Sequence, residues 1–138
     1  MKKQLVTICF LFILLTSCDP VDDRLVIVNK TGFPIYYDFF FDMNDTSHNV
    51  LGVYISNEIK INDSSSQSIL GTDAWLRQLQ QSDTKSLSLY FYNTDSIRIN
   101  QYKYKNMRQY FLANRYFKEM QLNEKQLDSS NWVITVNE

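Results

Sequence analysis

No cysteine follows position 18 in this chain of 138 residues, so whatever folds beyond that point does so without an internal disulfide and without a cysteine-held metal. An apolar core has to carry the structure alone. Material for one is present, since aromatic residues make up 14% of the sequence. Both cysteines, Cys9 and Cys18, belong to the leading segment. Lys2 and Lys3 give that segment a positive start, residues 5–15 form an eleven-residue, largely apolar run, and Thr16 and Ser17 are small. Spanning a bilayer as a helix takes roughly 20 apolar residues, so the pattern reads as a cleaved secretory signal.

The quartet Leu15-Thr16-Ser17-Cys18 resembles the lipobox of bacterial lipoproteins. The resemblance implies that the thiol of Cys18 takes a diacylglyceryl group, that the chain is cut before it, and that the new amine is acylated. Two or three acyl chains, at about 0.8 kcal/mol per buried methylene, make a lasting anchor. Residues 1–17 are then a lipoprotein signal peptide, 18–23 an acidic tether and 24–138 a single globular domain. Asp19, Asp22 and Asp23 carry three readings. An aspartate directly after the cysteine resembles the inner-membrane retention signal of enterobacterial lipoproteins. An acidic cluster just downstream resembles the surface-export signal of Bacteroidota lipoproteins. Pro20 among acids also suits a plain solvated tether.

Beyond the tether, 25–28 and 35–41 read as strands around the turn Asn29-Lys30-Thr31-Gly32, a predicted hairpin, with Asp38 pointing to solvent. Residues 42–49 read as a polar loop, 50–55 and 58–61 as short strands, and 62–68 as a flexible serine-rich connection. A helix follows, capped by Thr72, with Trp75, Leu76 and Leu79 on one face. Residues 86–92 alternate into a strand, and Asp95 is placed as the cap of a short helix. A strand is expected over 115–120, then a short helix from 123 with Leu127 facing inward, then a closing strand over 132–136 with Trp132, Ile134 and Val136 on one face.

The closing text, an Arg115-Tyr116 pair, a short Leu-containing helix and the strand Asn131-Trp132-Val133-Ile134-Thr135, resembles a family of uncharacterised Bacteroidota lipoproteins. The likeness extends back through 82–97 and 27–37. It implies location and architecture, and it favours the surface-export reading of the acids. No catalytic residue carries over, because the family has no assigned activity.

Chemistry-bearing constellations are few. His48 is the sole histidine, and there is no G-x-S-x-G elbow or glycine-rich phosphate cradle. Asp42, Asn44, Thr46 and His48 resemble the start of a calcium loop, but Ser47 and Val53 stand where glycine and a bidentate glutamate are needed. Residues 18–69 hold three basic against eight acidic side chains, whereas 98–118 hold six basic and no acidic ones, interleaved with tyrosine and phenylalanine. Arg98, Tyr102, Lys103, Tyr104, Arg108, Arg115 and Tyr116 therefore form a candidate ligand face, set against the plain reading that the aromatics are core and the cations a wet surface. Asp95-Ser96-Ile97 resembles a Bacteroidota O-glycosylation acceptor, with Ser96 as the modified residue.

The expectation is an α+β domain, mainly antiparallel β, with about six strands and two or three short helices. Its expected role is a lipid-anchored, non-enzymatic binding module of the cell envelope, at the outer membrane and exposed at the surface. The partner would be a glycan, a peptide or an envelope protein, with neither cofactor nor metal and no nucleic acid. A small envelope hydrolase using carboxylates and an inhibitor or immunity-type lipoprotein are the alternatives.

Overall fold

A computed structural model describes residues 20–41, 58–100 and 116–138. These form an α+β fold whose six described strands make two three-stranded sheets, accompanied by three short helices. β1 (Val21–Asn29) lies between β3 (Ser64–Leu70), antiparallel to it, and β6 (Val133–Val136), parallel to it. The second sheet is antiparallel throughout and ordered β2 (Ile35–Phe40), β4 (Ser86–Asn93), β5 (Lys118–Asn123). The helices are α1 (Ala74–Gln81), α2 (Thr94–Asn100) and α3 (Glu124–Ser129). One core joins both sheets through Leu25, Ile27, Leu89, Phe91, Ile134 and Val136, and Trp75 of α1 and Leu127 of α3 are buried in it.

The predicted hairpin over 25–41 does not form, because its strands join different sheets. Asn29 stands where the two strands part. Its side chain is fully buried and satisfied on both sides. Nδ2 donates to the carbonyls of Phe33 (2.9 Å) and Ile59 (3.0 Å), while Oδ1 accepts from the Thr31 backbone N–H (2.9 Å) and hydroxyl (2.8 Å). The chain curls around this amide and emerges to pair with β4. The edge of β1 is filled instead by the serine-rich stretch expected to be a flexible connection, which is β3. The strand expected over 58–61 reduces to a single bridge between Ile59 and Ile35, followed by a turn. The strand expected over 50–55 lies outside the described residues.

The tether is shorter than its acidic composition suggests, since β1 begins at Val21 and Asp22 is buried. The Asp22 carboxylate accepts the Trp75 backbone N–H (3.1 Å) and Arg24 Nε (2.8 Å). An orphan donor of the first turn of α1 is thus satisfied from another element. Thr72 does not cap this helix; Asp73 holds the N-cap position with φ 50° and makes no side-chain cap. Arg24 also pairs with Asp73 and lies 5.2 Å from the Trp132 ring. Asn93, rather than Asp95, caps α2 by accepting from the N–H groups of Asp95 and Ser96.

The C-terminal elements follow the sequence expectation, with β5 displaced to 118–123. Asn123 and Gln126 form a reciprocal capping box that starts α3. Asn131 and Trp132 then both take positive φ, 51° and 60°. Asparagine tolerates that region and tryptophan does so only when its surroundings compel it. Here the Trp132 N–H donates to Leu127 O (2.8 Å) and Nε1 to Asp128 Oδ1 (2.9 Å). Trp132, Ile134 and Val136 are buried together, as their alternation predicts.

Candidate functional site

β-strand alternation divides the second sheet into two faces. Ile35, Tyr37, Leu89 and Phe91 enter the core. The opposite face carries Tyr36, Asp38 and Phe40 from β2, Ser86, Ser88, Tyr90 and Tyr92 from β4, and Glu119 and Gln121 from β5. Solvated polar side chains are the usual content of such a face. Instead Tyr36, Asp38, Ser86, Ser88, Tyr90 and Tyr92 are all buried. Asp38 therefore does not point to solvent as its place between aromatic neighbours suggested. Its Oδ1 accepts the Phe39 N–H, and the residue stands in register with Tyr90.

Glu119 stands at the edge of this face, on the outer strand β5. It is exposed, and the two oxygens of its carboxylate accept one phenol each, from Tyr90 (3.1 Å) and Tyr116 (3.2 Å). Strand register places Asp38, Tyr90 and Glu119 in one row across the three strands. Tyr116, half-buried at the entry to β5, lies edge-on to Tyr90 with ring centres 5.1 Å apart and to Tyr92 at 6.5 Å. Tyr36 stacks on Tyr92 at 6.2 Å, and Phe40 meets Tyr90 at 5.8 Å. The result is a buried cluster of aromatic rings that reaches solvent at the half-buried Tyr116, with the exposed Glu119 carboxylate clasped at its edge.

Burial, reinforced by the hydrogen bond to Glu119, pushes the Tyr90 phenol up to about 12. Burial alone does the same to Tyr37 on the core face, also to about 12. The Tyr116 phenol is raised as well, chiefly by its bond to Glu119. An unfolded tyrosine ionises near 10. Between about pH 10 and 12 the unfolded chain thus loses protons that the folded chain keeps, and stability falls across that window. Tyr37→Phe removes one such group at the cost of a 3.3 Å bond to Gln67. The drop in thermal midpoint between about pH 9 and pH 11 is expected to be smaller in this variant than in the parent; an equal drop would contradict the assignment.

Of the seven residues of the sequence-predicted ligand face, Arg98 and Tyr116 are described, and Tyr102, Lys103, Tyr104, Arg108 and Arg115 lie outside the described residues. Tyr116 belongs to the aromatic cluster beside Glu119. Arg98 is already engaged on α2, where its guanidinium donates to Asp95 (3.1 Å) and Glu58 (2.7 Å), so it is not the unpaired cation that the local absence of acids suggested. Ser96 is half-buried in α2, with its N–H given to Asn93. Cys18 and the loop of Asp42, Asn44, Thr46 and His48 lie outside the described residues. No group of three or more potential metal ligands comes together among the described residues.

Sequence reasoning missed Tyr90 and Glu119. The signal was present in the runs Tyr36-Tyr37 and Tyr90-Phe91-Tyr92, which place aromatic rings on both parities of a strand and so demand cover on both faces. Surface depressions among the described residues lie elsewhere. One of about 350 Å3 is lined by Leu79, Gln80, Lys85, Asn123, Glu124 and Lys125, and one of about 220 Å3 by Leu70, Ala74, Arg77, Gln78 and Gln81. No protein-family model matches the chain, and no curated protein or solved structure matches it.

Proposed function

We propose that this chain is a lipid-anchored protein of the cell envelope, held by acylated Cys18 at the outer membrane and exposed at the surface, and that it binds a glycan without transforming it. The anchor rests on the Leu15-Thr16-Ser17-Cys18 quartet behind its apolar leader. The carrying observation for binding is the exposed Glu119 carboxylate held between the phenols of Tyr90 and Tyr116, beside a half-exposed ring. An aromatic face packs against the apolar C–H side of a sugar ring, and an adjacent carboxylate accepts hydroxyl protons that water would otherwise satisfy. Fixing both Glu119 oxygens reduces the entropy lost when a ligand docks.

Titration of the acylated protein against envelope polysaccharides and defined oligosaccharides tests this reading. Tyr116→Ala and Glu119→Gln are each expected to weaken binding about tenfold or more, the loss of roughly 1.4 kcal/mol or more, with little change in thermal midpoint. Retained affinity in both variants, or capture of an envelope protein or peptide and of no glycan, would overturn it.

A second reading is favoured by the row Asp38, Tyr90, Glu119. Neighbouring strands are about 4.8 Å apart, which places two acids on one face at a backbone separation of about 10 Å. Inverting glycoside hydrolysis uses carboxyl groups about 6.5–9.5 Å apart. Hydrolysis of a chromogenic glycoside that disappears in Asp38→Asn would select this reading.

A further inference from the structure

We propose that the end of the first sheet formed by Val21 and Leu70, with Arg77 beside it, is a membrane-contacting face seated in the lipid headgroups; the proposal rests on the lipid-anchor reading above and adds an orientation to it. Val21 and Leu70 are register partners at the tip of the β1–β3 ladder. They are 53% and 75% exposed, which for two adjacent aliphatic side chains is an apolar patch at a strand end.

The tether determines what this patch meets. The Pro20 carbonyl accepts the Gly71 backbone N–H at 2.7 Å, so the ordered domain holds the chain from Pro20 onward. Gly71 suits that contact, since its φ of 112° is a conformation side chains rarely adopt and an added Cβ would come within 2.5 Å of Arg77 Nη2. Only Asp19 then separates the fixed chain from Cys18. Two residue steps, at about 3.3–3.6 Å each, allow about 7 Å between the Cα atoms of Cys18 and Pro20. The headgroup layer on each side of a bilayer is about 5–8 Å deep. A domain on so short a leash cannot withdraw its Val21 and Leu70 end from the interface.

That end carries two exposed acids, Asp23 and Asp73, and two cations. Arg77 lies against Gly71 and lines the depression next to Leu70 and Ala74, and among the described residues it has no acidic partner. A guanidinium there can take a lipid phosphate in two hydrogen bonds. Arg24, the other cation near this end, is engaged by Asp22 and Asp73. At the far end of the sheet is the exposed Ile61, next to the turn whose Asn62 N–H donates to Asn29 O. The nine residues of β1 place it roughly 25–30 Å from Val21.

The experiment uses the full acylated protein in vesicles of phosphatidylethanolamine and phosphatidylglycerol. Cysteine is introduced singly at Leu70 or at Ile61, labelled with a polarity-sensitive fluorophore and read against headgroup-spin-labelled lipid. The label at 70 is expected to shift to shorter wavelength and to be quenched, while the label at 61 stays at its aqueous values. Arg77→Glu is expected to reduce quenching at 70. Vesicle flotation is scored on the same samples. Protein that floats but shows matching signals at 70 and 61 overturns this orientation and leaves the anchor standing; protein that does not float overturns both.

Discussion

Asn29→Asp is expected to destabilise the fold by about 3–5 kcal/mol. The substitution changes almost no volume, so packing is not at issue. It removes the amide that donates to Phe33 O and Ile59 O and puts an oxygen in its place, in a fully buried position. Each carbonyl left without its donor costs about 1–3 kcal/mol. A carboxylate facing two carbonyl oxygens adds its own desolvation. Against a total stability of about 5–15 kcal/mol, this is a large fraction. The sign of the pH dependence follows from the same contacts. Burial raises the pKa of the introduced carboxyl above its unfolded value near 3.9, and the protonated form can again donate to one carbonyl. The penalty should therefore be smallest in acid and grow as pH rises through about 4 and above. Urea unfolding at several pH values measures it. A loss below about 1 kcal/mol, or one independent of pH, would show that Asn29 does not hold the divergence of β1 from β2.

Trp75→Ala should be comparably damaging, at about 3–5 kcal/mol for an aromatic deleted from a packed core. Trp75 is fully buried and packs against Phe39 (ring centres 5.0 Å apart) and Phe41 (5.7 Å). Its Nε1 donates to the carbonyls of Asp22 (3.1 Å) and Gln67 (3.3 Å), so the side chain ties α1 to both β1 and β3. Trp75→Phe separates the contributions, because it keeps most of the ring while leaving the buried Asp22 carbonyl and the part-buried Gln67 carbonyl short of a donor. It is expected to cost about 1–3 kcal/mol. Chemical denaturation followed by circular dichroism ranks the two variants, and equal losses would mean that packing contributes little beyond the hydrogen bonds.

Where hydrophobic period and capping chemistry both speak, the sequence was sufficient. The α+β class, the inward face of β6 and the start of α3 at Asn123 were legible, and in α1 Trp75 and Leu79 are buried as expected while Leu76 is half-buried and the Thr72 cap is not made. Serine-rich β3 was not, because its residues carry no apolar alternation; it is a strand because β1 offers a ladder, and tertiary pairing overrides weak local preference. The hairpin failed for a related reason. Turn residues announce a reversal but not which sheet the chain enters next, and the contact at the parting point, the Asn29 amide on Ile59 O, joins residues 30 positions apart. Asp22 looked like tether because acids normally seek water, and only the arrival of the Trp75 N–H and Arg24 gives it partners inside. The candidate site was half visible: Tyr116 stood out in its basic aromatic stretch, while Glu119 acquires meaning only when register sets it beside Tyr90.

The parallel pairing of β1 with β6, Val26 opposite Val133, has a consequence for the order of assembly. A polypeptide made amino end first presents segment 21–29 long before residues 133–136 exist. For all that interval the earliest strand has an open flank, and closure waits on the latest one. Such long-range pairing is slow to nucleate, so one edge of β1 keeps its backbone groups unpaired until the final strand docks.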